Sequence, residues 1–301
     1  MSAPDWIAVD WGTSQLRVWL MRDAGEVLAS HTSPKGMGKL TPPEYEPTLL
    51  ELVGAALPEG RTTPVVICGM AGARQGWQEA PYAKTPCEPP SALTATKVAT
   101  KDPRLSVHIL PGVSQDKPAD VMRGEETQIN GFLASEPKFD GVICLPGTHC
   151  KWVHISANEI VSFRTFMTGE VFAALSEHTV IRHSMGEGWN AEVFEEAVSR
   201  AISSPATALG DLFSLRAETL LHGLDQASVR ARLSGLLIGA ELAAAKPYWL
   251  GQDVVILGEN KLAEAYLSAL GAQGAMARLA PSGPTTLAGL ASAYPSLKDT
   301  K

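Results

Sequence analysis

Only four cysteines, Cys68, Cys87, Cys144 and Cys150, are scattered over the 301 residues. That spacing excludes a disulfide framework and the paired CxxC pattern of a zinc site. Cys68 and Cys144 lie inside apolar runs, "VVICGM" and "GVICLPG", and all four read as reduced packing residues. No uninterrupted apolar stretch approaches the roughly 18 residues of a membrane span, and no basic amino-terminal segment leads into one. The expectation is a cytoplasmic protein with no membrane partner. Lysine and arginine never cluster, and the net charge is -7 with a pI near 5.5, so no nucleic-acid partner is expected. The common nucleotide-binding signatures are missing as well. There is no GxxxxGK[ST] P-loop, no GxGxxG between a strand and a helix, and no kinase HRD or DFG set.

What is present suffices for a large core: 45% of the residues are hydrophobic, and the length suits two lobes of ordinary size. Short Val/Ile-rich runs predict strands over 6–10, 16–22, 26–31, 64–69, 106–111, 141–145, 151–155, 159–166 and 253–257. Helical periodicity predicts helices over 45–56, 125–135, 169–177, 190–202, 211–220, 227–245, 260–271 and 285–293. Alternation of the two is the pattern of α/β layering.

A repeat lies inside this pattern. When "IAVDWGTSQLRVWLMRDAGEVLAS" is laid over "VICLPGTHCKWVHISANEIVSF", Gly12-Thr13 falls on Gly147-Thr148 and Val18 on Val153. With a two-residue shift in the hairpin, Glu26-Val27-Leu28 falls on Glu159-Ile160-Val161. Both segments read strand, Gly-Thr turn, strand, polar hairpin, strand. An internal duplication follows, with two similar lobes each presenting a turn. Such a pair suits a polyphosphate, because backbone N–H groups of a glycine turn approach phosphate oxygens closely and Thr or Ser hydroxyls add donors.

The copies differ at one telling place: Asp10 precedes the first turn, whereas Leu145 precedes the second. A carboxylate beside bound phosphate repels it unless a hard cation lies between them. Asp10 is therefore the expected Mg²⁺ contact, and Gly12, Thr13 and Ser14 the expected phosphate receivers. An aspartate that merely caps a turn is the competing account.

Five stretches carry a family resemblance: "DWGTSQLRVWL" (10–20), "VMRGEETQINGFL" (121–133), "LPGTHCKWV" (145–153), "FRTFMTGE" (163–170) and "LSGLLIGAE" (233–241). In this order they resemble the 2-dehydro-3-deoxygalactonokinases, sugar-acid kinases of the actin, Hsp70 and hexokinase-like superfamily. The resemblance covers nearly the whole chain. It implies two ribonuclease-H-like lobes around a central nucleotide cleft, the first over 1–137 with turn 1 and the sugar-acid site, the second over 138–301 with turn 2 and the adenosine site. It also implies ATP and Mg²⁺ as cofactors. The implied reaction is phosphorylation of 2-dehydro-3-deoxy-D-galactonate at its 6-hydroxyl, in galactonate breakdown.

Residue roles follow from that chemistry. "GEETQINGFL" opens a helix with Glu125 and Glu126 in its first turn. A sugar hydroxyl loses its proton as it attacks the γ-phosphorus, and a carboxylate near it accepts that proton. Glu125 leads as the base, with Glu126 or Asp10 as substitutes; acids that only complement the helix N-terminus are the bland alternative. Gly147 and Thr148 are expected to receive phosphate, with His149 and Lys151 close enough to donate, although either could be a plain turn or surface residue. For the substrate carboxylate, Arg123 and Arg164 lead, Arg17 and Arg74 follow, and the glycine-rich "CGMAGARQGW" around Gly72 permits close approach. Gly258, Glu259 and Asn260 stand where the superfamily holds adenosine, but Glu259 replaces its second glycine. Another 2-keto-3-deoxy sugar acid as substrate, a phosphatase or exopolyphosphatase on the same fold, and a catalytically silent scaffold are the alternatives. A homodimer is compatible with the sequence.

Overall fold

Alternation decides the first sheet. In the computed structural model, which describes residues 3–23, 25–258 and 260–297, strand β1 (Trp6–Trp11) is buried on both faces. Ile7, Val9 and Trp11 pack toward helix α1 (Tyr45–Val53), joining Tyr45, Leu49 and Val53 in one core. Trp6 and Ala8 pack the other way, with Val66, Cys68, Leu290 and Tyr294, where the Trp6 ring stacks on Tyr294 at 4.3 Å. Asp10 is on this second face by the period of two. Strands β2 (Leu16–Arg22) and β3 (Glu26–Ser33) continue the sheet antiparallel to β1, whereas β4 (Thr63–Gly69) runs parallel to it.

The chain divides into two compact units. The first comprises Met1–Phe139, Ser156–Ser162 and Ser282–Lys301, and the second Asp140–Ile155 and Phe163–Pro281. In the first unit the short strands β5 (Tyr82–Lys84), β6 (Thr96–Val98), β7 (Leu105–Ile109), β8 (Gly112–Asp116) and β9 (Ala119–Met122) precede helix α2 (Glu125–Ser135). The main sheet has the order β3-β2-β1-β4-β7-β6, and β5-β8-β9 form a separate small sheet.

The second sheet comprises strands β10 (Gly141–Leu145), β11 (Cys150–Ser156), β12 (Glu159–Phe166), β13 (Val254–Leu257) and β14 (Ala277–Ala280), in the order β12-β11-β10-β13-β14, and apart from Ser156 and residues 159–162 its strands belong to the second unit. The helices of that unit are α3 (Thr168–His178), α4 (Ala191–Ser203), α5 (Ala208–His222), α6 (Gln226–Ala244), α7 (Lys246–Trp249) and α8 (Lys261–Ala272). Val142, Cys144, Trp152, Val254 and Ile256 form its core with Phe194, Ile238 and Tyr266. Each sheet begins with the same five-strand arrangement, an antiparallel meander of three followed by parallel neighbours. That is the duplicated α/β fold expected from the repeat, with the ribonuclease-H-like lobes that the family resemblance implies.

The overlay needs one correction. Asp10 pairs with Arg17 and Leu145 with Lys151, so the second turn is one residue shorter. The counterpart of Val18 is consequently Trp152, not Val153; both Val18 and Trp152 face the helix-covered core of their sheet. A slip of one residue moves a side chain to the opposite face, which is why the straight overlay fails there.

Helix α9 (Gly283–Ala293) returns to the first unit and crosses α2. A Cβ on Gly131 would overlap the Thr285 carbonyl, and one on Gly289 the Thr127 carbonyl. The two backbones therefore touch, and this contact sets the position of the α2 N-terminus with its glutamates. All four cysteines are free thiols. Among the described residues no helix is long and apolar enough to cross a membrane.

Candidate active site

Turn 1 joins β1 to β2 and is closed by the Gly12 N–H donating to the Gln15 carbonyl at 2.9 Å. Thr13 and Ser14 are exposed. The turn is braced from behind: the N–H groups of Met37 and Gly38 donate to the carbonyls of Gly12 and Thr13 at 3.0 and 2.9 Å. Gly36 lies so close that a Cβ there would overlap the Thr13 carbonyl.

Turn 2, in the second unit, is braced the same way. The Glu170 N–H donates to the Thr148 carbonyl at 2.9 Å, and a Cβ on Gly169 would overlap the Gly147 carbonyl. Gly36 and Gly169 each follow by three residues the end of the third meander strand, Ser33 and Phe166. The duplication thus includes a glycine brace under each turn. Sequence reasoning missed Gly36, although the same spacing in both copies was there to be read.

Asp10 is tied across the strands to Arg17, whose Nε–H donates to Oδ2 at 2.9 Å and whose Nη2 bonds the same oxygen. The other carboxylate oxygen lies 3.8 Å from the Cys68 thiol. Arg17 is therefore committed to Asp10, and Lys151 is its register counterpart in the second sheet. Lys151 is 4% exposed, so the solvated-surface account of this lysine fails. Among the described residues no three His, Cys, Asp or Glu side chains gather into a metal cage. Mg²⁺ at a phosphate does not need one, since it takes one or two carboxylates and keeps waters and phosphate oxygens.

At the start of α2, Gly124 adopts φ 108°, which an L side chain resists, and the two glutamates separate. Glu125 is half-buried, and its Oε2 accepts the Arg123 N–H at 3.1 Å. Glu126 is buried, accepting the Gly124 N–H at 2.7 Å and the Thr127 hydroxyl at 3.2 Å. Burial first, and the neighbouring Glu125 charge second, push its pKa up to about 8. At neutral pH Glu126 is thus mostly protonated and a poor proton acceptor.

A pH prediction follows. The folded state holds the Glu126 proton up to about pH 8, whereas the unfolded chain releases it near the ordinary 4.5. Its stabilising contribution is whole below the unfolded value and is lost as pH rises toward 8, at no more than about 1.4 kcal/mol per pH unit. Thermal midpoints from pH 5 to 9 should fall less steeply in Glu126→Gln than in the unaltered protein. Identical slopes would refute the assignment.

Arg123 directly follows β9 and stacks on Tyr82 of β5, its guanidinium carbon 4.3 Å from the ring centre. Nη2 donates to the Ala80 carbonyl at 2.8 Å, while Nε and Nη1 are buried with no hydrogen-bond partner among the described residues. Buried unpaired donors are costly, and a carboxylate is their natural complement. Gly72 abuts Nη1, where a Cβ would come within 2.7 Å. The small sheet that supports this stack escaped sequence reasoning, because its strands are only three to five residues long. Arg74 is exposed and pairs with Glu79 at 3.5 Å. In the second unit Arg164 is exposed on β12.

His149 of turn 2 bonds the Glu170 carboxylate through Nε2 at 2.6 Å. At the end of β13 the Gly258 N–H donates to the Ala280 carbonyl at 2.9 Å. Asn260 caps α8, its Oδ1 accepting from the Ala263 N–H at 3.0 Å. Glu259 lies outside the described residues.

Set beside known proteins, the chain matches across almost its full length. It is 40% identical over 293 residues, 95% of each chain, to a probable 2-dehydro-3-deoxygalactonokinase of Rhizobium meliloti (strain 1021). It is 38% identical over 256 residues, 84% of each chain, to the 2-dehydro-3-deoxygalactonokinase of Escherichia coli (strain K12). A crystal structure from Sinorhizobium meliloti superposes with a TM-score of 0.89 at 40% identity, covering 97% of this chain and 99% of that one. The family model described as 2-keto-3-deoxy-galactonokinase matches residues 10–293, a span that contains both braced turns, the glutamate pair and Arg123, and the chain belongs to that family.

Proposed function

We propose that this protein uses ATP to phosphorylate 2-dehydro-3-deoxy-D-galactonate at its 6-hydroxyl; its relatives are named as 2-dehydro-3-deoxygalactonokinases. The observation that carries the reading is that match, 40% identity over 95% of both chains. Mg²⁺ is the second cofactor, and the protein works in the cytoplasm on a small sugar acid.

The residues divide the work. The segment up to residue 137 carries turn 1 and the sugar-acid site, and the segment from 138 carries turn 2 and the adenosine site. Thr13, Ser14 and the backbone of Gly12 receive phosphate oxygens at turn 1; Gly147, Thr148, His149 and Lys151 do so at turn 2. Because the carbonyls of both turns are engaged by their braces, these loops need not reorganise when phosphate arrives. Arg123, with two unpaired buried donors beside Gly72, takes the substrate carboxylate, and Arg164 and Arg74 contribute charge. Glu125 accepts the proton of the 6-hydroxyl. Asp10 holds the Mg²⁺, which when bound screens the phosphate charge from the carboxylate. Gly258, Glu259 and Asn260 border the adenosine.

The test is a coupled ADP-release screen with Mg²⁺ across 2-keto-3-deoxy sugar acids. ADP should form only when the sugar acid is present, and fastest with the galactonate-derived compound. Phosphate release from ATP or polyphosphate without any sugar acid would overturn the kinase reading in favour of a hydrolase. A faster rate with the gluconate-derived epimer would reassign the substrate.

A further inference from the structure

Helix α6 carries an acid in an otherwise apolar run, "GLLIGAELAAA", and the structure buries it: Glu241 is 3% exposed. An ionised carboxylate is expensive to bury unless donors surround it, and a well-packed apolar residue would often be as stable in its place. Glu241 has three donors from three different elements. Trp152 Nε1–H of β11 donates to Oε1 at 2.7 Å, Tyr266 O–H of α8 donates to Oε2 at 2.8 Å, and the Thr168 hydroxyl of α3 also donates to Oε2.

Two of these partners need no such anchor. Trp152 and Tyr266 are large rings fully inside the core, held by packing. Thr168 differs, because it is the first residue of α3 and that helix start has no side-chain cap; the N-cap position is Met167. A helix end normally takes its orientation from a capping side chain, and here Glu241 is what grips it. The next two residues are the brace of turn 2, Gly169 against the Gly147 carbonyl and Glu170 donating to the Thr148 carbonyl and bonding His149. A continuous chain of contacts therefore runs from the buried carboxylate through Thr168 to the turn.

The geometry points to Glu241 as a positioning residue for nucleotide phosphate, acting through the Thr168 hydroxyl and the Gly169–Glu170 brace. This inference rests on turn 2 receiving phosphate. It goes beyond that reading in assigning the buried acid of α6 the task of holding the turn in its binding shape before ligand arrives, as preorganised sites require.

The experiment measures binding of a non-hydrolysable ATP analogue with Mg²⁺ by calorimetry, with no sugar acid present, alongside thermal midpoints. Thr168→Val removes the hydroxyl at nearly constant shape and should weaken analogue binding about tenfold, the effect of losing one hydrogen bond to a charged group. Thr168→Ser retains the hydroxyl and should bind within about twofold of the unaltered protein. Trp152→Phe removes a different hydrogen bond to the same carboxylate; it should lower the midpoint yet leave analogue binding within about threefold. If Thr168→Val does not fold, Glu241→Gln compared with Trp152→Phe decides on the same ratio. Equal binding by Thr168→Val and the unaltered protein, or equal weakening by Trp152→Phe, would overturn the inference. Failure of the sugar-acid assignment would instead appear as missing ADP release by an unaltered protein that still binds the analogue. An unaltered protein that binds no analogue would overturn both.

Discussion

Replacing Asp10 with asparagine is expected to abolish nearly all turnover, by about 10³-fold or more, while the protein stays folded. The size follows from what a bound cation contributes, several kcal/mol of charge stabilisation on the transferring phosphoryl group. The fold should survive because the Asp10–Arg17 pair is not fully buried, with side chains 17% and 36% exposed, and the amide keeps the shape and an acceptor for Arg17. What it loses is the charge that distinguishes turn 1 from turn 2, where Leu145 stands in the same place. Turnover measured against Mg²⁺ concentration, with the thermal midpoint as control, decides the matter. Normal activity with an unchanged Mg²⁺ dependence would remove Asp10 from the metal site.

Glu125→Gln should lower kcat by about 10² to 10⁴, the range for a positioned general base, with little change in ATP affinity. If Glu125 only complements the helix dipole, the same change should cost under about 1 kcal/mol of stability and leave kcat nearly intact. Glu126→Gln is the internal control. Adjacent helix residues point about 100° apart, and Glu126 is already protonated at neutral pH because its pKa is raised to about 8. Its neutral amide should therefore leave kcat within about threefold. Two active variants with lowered midpoints would end the catalytic reading of this helix.

Much of this molecule was decided locally. The three strands of each meander, the Gly-Thr turns and helix α2 are signalled by apolar alternation, glycine and helical periodicity within a few residues of one another. The structure forms them at or within a residue or two of the expected bounds. The roles proposed for Asp10, Glu125 and the turns were argued from equally local signals, residue type and position after a strand.

Other features depend on partners far along the chain, and there local signals are silent. Strand β14 and the sheet β5-β8-β9 are too short to show a period, and are strands because neighbours distant in sequence pair with them. The length of turn 2, visible only in the pairing of Leu145 with Lys151, puts Trp152 rather than Val153 opposite Val18 in the repeat. Helical phase alone says that Glu125 and Glu126 diverge, but only the folded structure shows that Glu126 is the buried one and Glu125 the half-buried one. Glu241 reads as an isolated acid until Trp152, Thr168 and Tyr266, 25 to 89 residues away, surround it. Sequence by itself determined which chemical groups this protein owns and the strands and turns that carry them. Tertiary structure decided which of those groups are dry, paired or open, because desolvation and hydrogen bonding depend on neighbours in space.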